Sequence, residues 1–215
     1  MLSHRKRERC VAISLTALAG YVDALGFIWL GGYFIAFMSG NTTRLGVGTV
    51  SPASDAGIPL ALILLFVLGV MCGSLINRRV GRHRRVVIMG GVTGLLLLAA
   101  CCQSLDHHIP AVICMAVAMG LENTVFERNG EVSLGVTYMT GTLVKLGQRL
   151  TALVLGEDRW GWFWYFLLWC ALLFGTVLGS ILYLHLGLAS LWPASLFAAM
   201  VTVAVARYVA PPPTA

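Results

Sequence analysis

The string Met38-Ser39-Gly40-Asn41-Thr42-Thr43-Arg44-Leu45-Gly46 returns about one hundred residues later as Met139-Thr140-Gly141-Thr142-Leu143-Val144-Lys145-Leu146-Gly147. A recurrence at that distance marks a duplicated unit. A second echo follows each copy: Gly69-Val70-Met71-Cys72-Gly73-Ser74 matches Gly175-Thr176-Val177-Leu178-Gly179-Ser180. Small residues four apart are common in membrane helices, so that match gains its weight from falling in the same order as the first. Upstream, Gly20-Tyr21-Val22-Asp23 corresponds to Gly120-Leu121-Glu122-Asn123, each closing a short apolar run with an acidic or amide group.

The solvent of these helices follows from composition. Of 215 residues, 58% are hydrophobic and 11% charged, where a soluble domain carries roughly 25% charged residues. Too few polar side chains remain to coat a water-facing surface, so lipid must cover much of the chain. The net charge of +6 does not imply nucleic acid, because the basic residues are clustered: His4, Arg5, Lys6, Arg7 and Arg9 precede the first apolar run, and Arg78, Arg79, Arg82, His83, Arg84 and Arg85 fill one connection. This is a membrane-topology signal.

Apolar stretches at 57–77, 86–103, 160–183 and 188–208 are each near the roughly 20 residues that a helix needs to cross the hydrocarbon core. Residues 10–48 and 109–150 are too long for one straight helix and are interrupted by glycine and polar residues. If each crossed twice, the Arg78 to Arg85 cluster would face away from the basic N-terminus, against the positive-inside rule. If each crosses once as a broken helix, the N-terminus, the Arg78 to Arg85 loop, the Arg149 to Arg159 connection and Arg207 all face the cytoplasm. The Pro211-Pro212-Pro213 tail is expected to be a disordered cytoplasmic end.

The fold expected is an all-α integral membrane protein of six spans, arranged as two three-span repeats over 1–106 and 107–215, the first span of each repeat broken. Three crossings is an odd number, so the second repeat enters the membrane inverted relative to the first. Many secondary transporters share this plan, with discontinuous helices meeting near the midplane to form the substrate site.

Backbone that leaves helical form at membrane depth exposes N–H and C=O groups that cost several kcal/mol each unless satisfied. Ser39 and Thr140 are positioned to cap the helices that follow them, and Gly40 and Gly141 permit close approach of backbone or solute. The helix dipole and free N–H groups there favour an anion. Asn41, Thr42 and Thr142 complete the polar edge of the two breaks. Arg44 and Lys145 occupy matching places one turn further on, where they either flank a solute or snorkel to the headgroups. Asp23 is a costly acid in an otherwise apolar stretch and a functional candidate for a polar or proton-coupling site, the alternative being a partner for freed backbone groups. Glu122 and Asn123 align with Val22 and Asp23 and join the candidate substrate-binding set. Arg128 with Glu127 or Glu131 reads as a local ion pair beside Asn129.

Other features read as architecture. Trp160, Trp162, Trp164, Tyr165 and Trp169 suit a membrane interface. His107 and His108 suit an exposed loop. Cys10, Cys72, Cys101, Cys102, Cys114 and Cys170 lack metal-ligand spacing and suit apolar packing. No nucleotide-binding motif, nucleophile elbow or zinc motif occurs, so neither an enzyme nor a cofactor is expected.

Gly-Tyr-Val-Asp-Ala-Leu-Gly-Phe at 20–27, Met-Ser-Gly-Asn-Thr-Thr at 38–43 and Met-Thr-Gly-Thr-Leu-Val-Lys-Leu-Gly at 139–147 together resemble the YoaK family (DUF1275/UPF0700), bacterial membrane proteins classed under a domain of unknown function. The resemblance spans nearly the whole chain. It implies a bacterial inner-membrane protein and supplies no catalytic residues. Where relatives tend to show Gln-Asn, this chain has Glu122-Asn123. An ionised Glu122 would put an adjacent anion site in doubt; the alternatives are a protonated acid, a pair with Arg128 or Lys145, or a cation or proton pathway.

The functional expectation is a secondary transporter of a small polar or anionic solute working within the lipid bilayer. The alternatives are a passive channel and a membrane scaffold working through the Gly69/Gly73 and Gly175/Gly179 faces, which suit a homodimer and close packing within one protomer equally well.

Overall fold

The computed structural model describes residues 2–51, 55–128, 131–132 and 137–209, with side chains described outside 2–7, 82, 128, 131–132 and 208–209. The expected disordered tail at Pro211-Pro212-Pro213, and the side chains of Arg128, Asn129 and Glu131, lie outside the described residues.

Eight α-helices account for nearly all of the described chain: α1 (Leu2–Trp29), α2 (Met38–Val50), α3 (Gly57–Val80), α4 (Arg84–Ser104), α5 (His108–Glu122), α6 (Met139–Val154), α7 (Gly161–Leu186) and α8 (Leu191–Ala204). A two-residue antiparallel ladder joins β1 (Glu127–Arg128) to β2 (Glu131–Val132). Four segments are long and apolar enough to cross a membrane: Glu8–Trp29, Gly57–Val80, Arg84–Ser104 and Gly161–Arg207, the last taking in both α7 and α8. The α5 helix is apolar but shorter.

The helices divide into an inner and an outer set. In α5, Ala111, Met115, Ala116, Ala118, Met119 and Leu121 are all buried, and α1 buries Leu15, Leu18, Ala19, Val22 and Leu25. By contrast α3 exposes Leu64, Leu68, Met71 and Leu75, and α7 exposes Phe174, Val177, Ile181 and Leu184. Spacings of three and four place each exposed set on one helix face. Contiguous apolar surface of that extent belongs against hydrocarbon.

One helix crossing is made twice. Gly175 lies against the Ala17 carbonyl, Gly179 against the Tyr21 carbonyl and Gly20 against the Leu172 carbonyl, with no room for a Cβ at any of the three. In the other half Gly69 lies against the Val117 carbonyl, Gly73 against Thr124 and Gly120 against the Phe66 carbonyl. Gly20 and Gly120 are 100 apart, while Gly69 and Gly175, like Gly73 and Gly179, are 106 apart. From Gly175 at Ala17 to Gly179 at Tyr21, and from Gly69 at Val117 to Gly73 at Thr124, the contacts advance in the same sense along both partners, so α1 runs parallel to α7 and α5 runs parallel to α3. Small residues allow such backbone approach where lipid offers no hydrophobic drive to hold helices together. Both outer helices also end on a glycine at positive φ, Gly81 (φ 62°) and Gly187 (φ 58°), backbone that a residue with a Cβ rarely adopts.

Two expectations are corrected. The first helix does not end at Asp23: α1 continues unbroken to Trp29, and the interruption is the segment 30–37 that follows. Gly31 (φ 68°) and Gly32 (φ 102°) turn the chain back, and Ile35 then fills the space over Gly26. The Gly69/Gly73 and Gly175/Gly179 faces, moreover, are occupied within one chain and are not free for a second copy.

Candidate functional site

The returning segment is held at the depth of Asp23. The carboxylate oxygen Oδ1 accepts the N–H groups of Ile35 (2.8 Å) and Ala36 (2.7 Å), and Asp23 is buried. These are two of the donors that a non-helical segment would otherwise leave unpaired. The corresponding residue in the second half does a similar task with an amide: Asn123 Oδ1 accepts the Thr137 hydroxyl (3.0 Å) and N–H (3.4 Å), while its Nδ2 donates to the Met119 carbonyl (2.8 Å). Of the two roles open to Asp23, the structure places it in the second, as partner of freed backbone groups.

Asn41 secures the same segment from the other side. Its Oδ1 accepts the Phe34 N–H (2.9 Å), its Nδ2 donates to the Phe34 carbonyl (2.6 Å), and it is wholly buried. Phe34 packs over Gly40, and Tyr138 packs over Gly141, so both glycines are covered by aromatic rings of their own half. Thr42 and Thr142 turn back to the helix, their hydroxyls donating to the Met38 (2.8 Å) and Tyr138 (3.1 Å) carbonyls.

These supports bring the starts of α2 and α6 together. A cavity of about 470 Å³ is lined by Ala36, Phe37, Met38 and Ser39 from one half, by Thr137, Tyr138, Met139 and Thr140 from the other, and by Phe66 of α3. Ser39 and Thr140, expected from sequence to meet, do line one space. Neither is a helix cap: the cap positions are held by Phe37 and Tyr138, and no side chain caps either helix. In these first turns the Gly40 N–H bonds to the Phe37 carbonyl (3.1 Å) and the Met139 N–H to the Thr137 carbonyl (2.9 Å), while no side-chain cap bond meets either helix at the end where its dipole is positive. Among the described residues, no charged side chain lines the cavity.

The basic candidates stand away from it. Arg44 is exposed, its guanidinium 5.0 Å from the Tyr33 ring centroid. Lys145 is exposed on α6. Neither side chain is among the residues that line the cavity.

Glu122 is the outlier. It is wholly buried, and among the described residues neither carboxyl oxygen has a hydrogen-bond partner. Its matched residue Val22 is equally buried, so one half carries an acid where the other carries a hydrocarbon. Glu127, expected in a local pair, instead joins three elements. Its Oε2 accepts from Ser74 (2.7 Å) and Asn77 (3.2 Å), and its carbonyl accepts from Arg84 (3.3 Å).

Sequence reasoning missed Phe37, Thr137 and Tyr138 in the cavity wall, and Ser74 and Asn77 around Glu127. The first group was visible had the repeat been extended: Ala36-Phe37-Met38 stands to Ser39 as Thr137-Tyr138-Met139 stands to Thr140. No local signal pairs Glu127 with residues some fifty positions earlier.

Comparison with known proteins bears on the whole chain. Residues 11–204 match the family model described as a protein of unknown function, DUF1275. The UPF0700 transmembrane protein RA0705 of Rhizobium meliloti (strain 1021) is 32% identical over 207 residues, covering 93% of this chain and 88% of the relative. The UPF0700 transmembrane protein YoaK of Bacillus subtilis (strain 168) is 29% identical over 150 residues, covering 64% of this chain and 65% of the relative. No solved structure matches the chain.

Proposed function

We propose a transport function for this chain, which belongs to the DUF1275 family of transmembrane proteins. The protein is a secondary carrier of a small anion or small polar solute, with its site in the cavity between the first turns of α2 and α6. The observation that carries this reading is the pairing of two helix starts without side-chain caps around one space, lined by hydroxyls and aromatic rings and by no charge. Main-chain N–H groups at a helix start bind anions without a permanent counter-charge, which leaves the site neutral when empty and the solute free to depart.

The chain crosses the bilayer six times, through α1, α3, α4, α5, α7 and α8, with α2 and α6 as re-entrant half-helices. The two halves are inverted repeats in the inner membrane of a bacterium, both termini cytoplasmic. What supports this is the twice-made glycine crossing, in which the first crossing helix of each half runs parallel to the second crossing helix of the other, together with the basic clusters at 5–9 and 78–85. Rocking of one parallel pair, α1 with α7, against the other, α5 with α3, would open the cavity to each side in turn.

Glu122 is the coupling candidate, since an acid without a partner at membrane depth is costly and is kept by default for function. Its placement in one half only suits a single solute path with a single coupling group.

The test is flux. Purified protein in phosphatidylcholine vesicles is loaded against gradients of chloride, nitrate, formate and acetate, with an internal dye reporting pH. Saturable, protein-dependent movement of at least one probe supports a carrier. Conductance that rises without saturation supports a passive channel, and no movement of any probe removes the anion reading.

A further inference from the structure

A second cavity opens where α1 and α7 enter their apolar segments. Its volume is about 590 Å³, and its lining includes Arg9, Ile13, Arg149, Asp158, Trp160 and Trp164. The apolar span of α1 starts at Glu8 and that of α7 at Gly161, so the mouth sits at the boundary of the hydrocarbon.

The lining is graded in polarity. Two guanidinium groups stand at the mouth. Arg9 lies over the Trp164 ring, 5.1 Å from its centroid, and makes no ion pair among the described residues. Arg149 meets Asp158 Oδ2 at 3.4 Å with its side chain 50% exposed. The other Asp158 oxygen is taken by the N–H groups of Trp160 and Gly161, both at 3.1 Å, so that one carboxylate is shared between a helix start and an arginine. Deeper along the parallel helices the wall becomes Ile13 and Leu167.

We propose that this cavity binds an anionic glycerophospholipid, its phosphate diester between Arg9 and Arg149 and an acyl chain descending along Ile13 and Leu167. The balance of charge at the mouth is one cation in excess, and basic pockets between membrane helices take anionic headgroups. A forked guanidinium matches two phosphate oxygens at once. Free phosphate would meet the arginines and leave the apolar wall bare. A zwitterionic lipid would bring its own cation against two guanidinium groups. The indole rings of Trp160 and Trp164 occupy the level at which amphipathic rings prefer to lie. This site is separate from the cavity between α2 and α6, and the proposal does not depend on transport.

The test uses the purified full chain in neutral detergent, titrated separately with dioleoylphosphatidylglycerol, dioleoylphosphatidylcholine and inorganic phosphate. Bound lipid is read by native mass spectrometry and the thermal midpoint by tryptophan fluorescence. Phosphatidylglycerol alone is expected to remain bound and to raise the midpoint. Each of Arg9→Ala and Arg149→Ala should weaken its binding about fivefold, while the double variant Arg78→Ala/Arg79→Ala, which removes twice the charge of either but outside the cavity, should leave it unchanged. Arg9→Gln, closer in length, provides a second variant if Arg9→Ala shows a lowered midpoint without lipid. The proposal is overturned by equal stabilisation from phosphatidylcholine or phosphate, by undiminished binding in the Arg9 and Arg149 variants, or by an equal loss in the Arg78/Arg79 variant.

Discussion

Asp23 and Ala36 are joined across a reversal of the chain, the carboxylate on α1 accepting the N–H of a residue thirteen positions later at 2.7 Å. The same oxygen receives the Ile35 N–H at 2.8 Å. An acid picked out from sequence as costly in a membrane is therefore the clamp that sets where the returning segment stops and α2 begins.

Replacing Asp23 separates the clamp from a chemical role. Asp23→Ala leaves two buried donors without their acceptor and should destabilise the fold by about 1–3 kcal/mol for each, seen as a lowered midpoint in detergent. Asp23→Asn keeps an acceptor oxygen and should retain most of the stability and any flux. Loss of flux in Asp23→Asn at unchanged stability would show that the charge itself matters.

The twice-made crossing predicts equal costs at matched glycines. Gly175→Ala and Gly69→Ala each push a methyl into a carbonyl of the neighbouring helix and should cost about 1–3 kcal/mol by overpacking. Gly90→Ala and Gly94→Ala, where a Cβ meets nothing within 4 Å, should be neutral or slightly stabilising in a helix. Unfolding midpoints of the four variants provide the comparison, and a neutral Gly175→Ala would refute the close approach.

The cavity wall should be reachable by small reagents. On a background in which the six native cysteines are replaced, Ser39→Cys and Thr140→Cys should react with a small hydrophilic thiosulfonate, and the modified proteins should lose flux. Ser39→Leu and Thr140→Leu should abolish flux at unchanged stability. Arg44→Ala and Lys145→Ala, whose side chains stand outside the cavity, should each change flux less than about threefold, equivalent to less than roughly 1 kcal/mol.

Two acids should part in behaviour. Glu127→Ala strips Ser74 and Asn77 of their shared acceptor and should destabilise by about 1–3 kcal/mol. Glu122→Gln replaces a carboxyl that has no partner among the described residues and should leave the midpoint unchanged or higher, while any flux loses its dependence on a proton gradient. Persistence of that dependence in Glu122→Gln would remove Glu122 as the coupling group.

Much of this was legible in the residues. The recurrence of Met38 to Gly46 at Met139 to Gly147 locates the starts of α2 and α6 to within two residues, because repeated local chemistry imposes the same local backbone twice. The apolar runs at 57–77 and 86–103 lie within α3 and α4, since a helix in lipid must continue until its hydrocarbon ends. The position of the first break was not legible. Nothing about Asp23 distinguishes a helix end from an interior acid whose side chain is waiting for Ile35 and Ala36. The part played by Arg44 was equally hidden, because a long flexible side chain reaches inward or outward from the same backbone position.

The residues alone thus determine that lipid is the solvent, that a polar string recurs about one hundred residues on, and that α2 and α6 begin on its two copies. All three depend on composition and on neighbours along the chain. Only the tertiary structure decides that the glycine faces are spent on α1 against α7 and α5 against α3, that Asp23 and Asn41 hold backbone, and that Ser39 and Thr140 share a cavity with Phe66. The helix pairings and the shared cavity depend on which segments, some fifty to one hundred and fifty residues apart, come to lie side by side. A short-range pattern carries no record of a partner that distant.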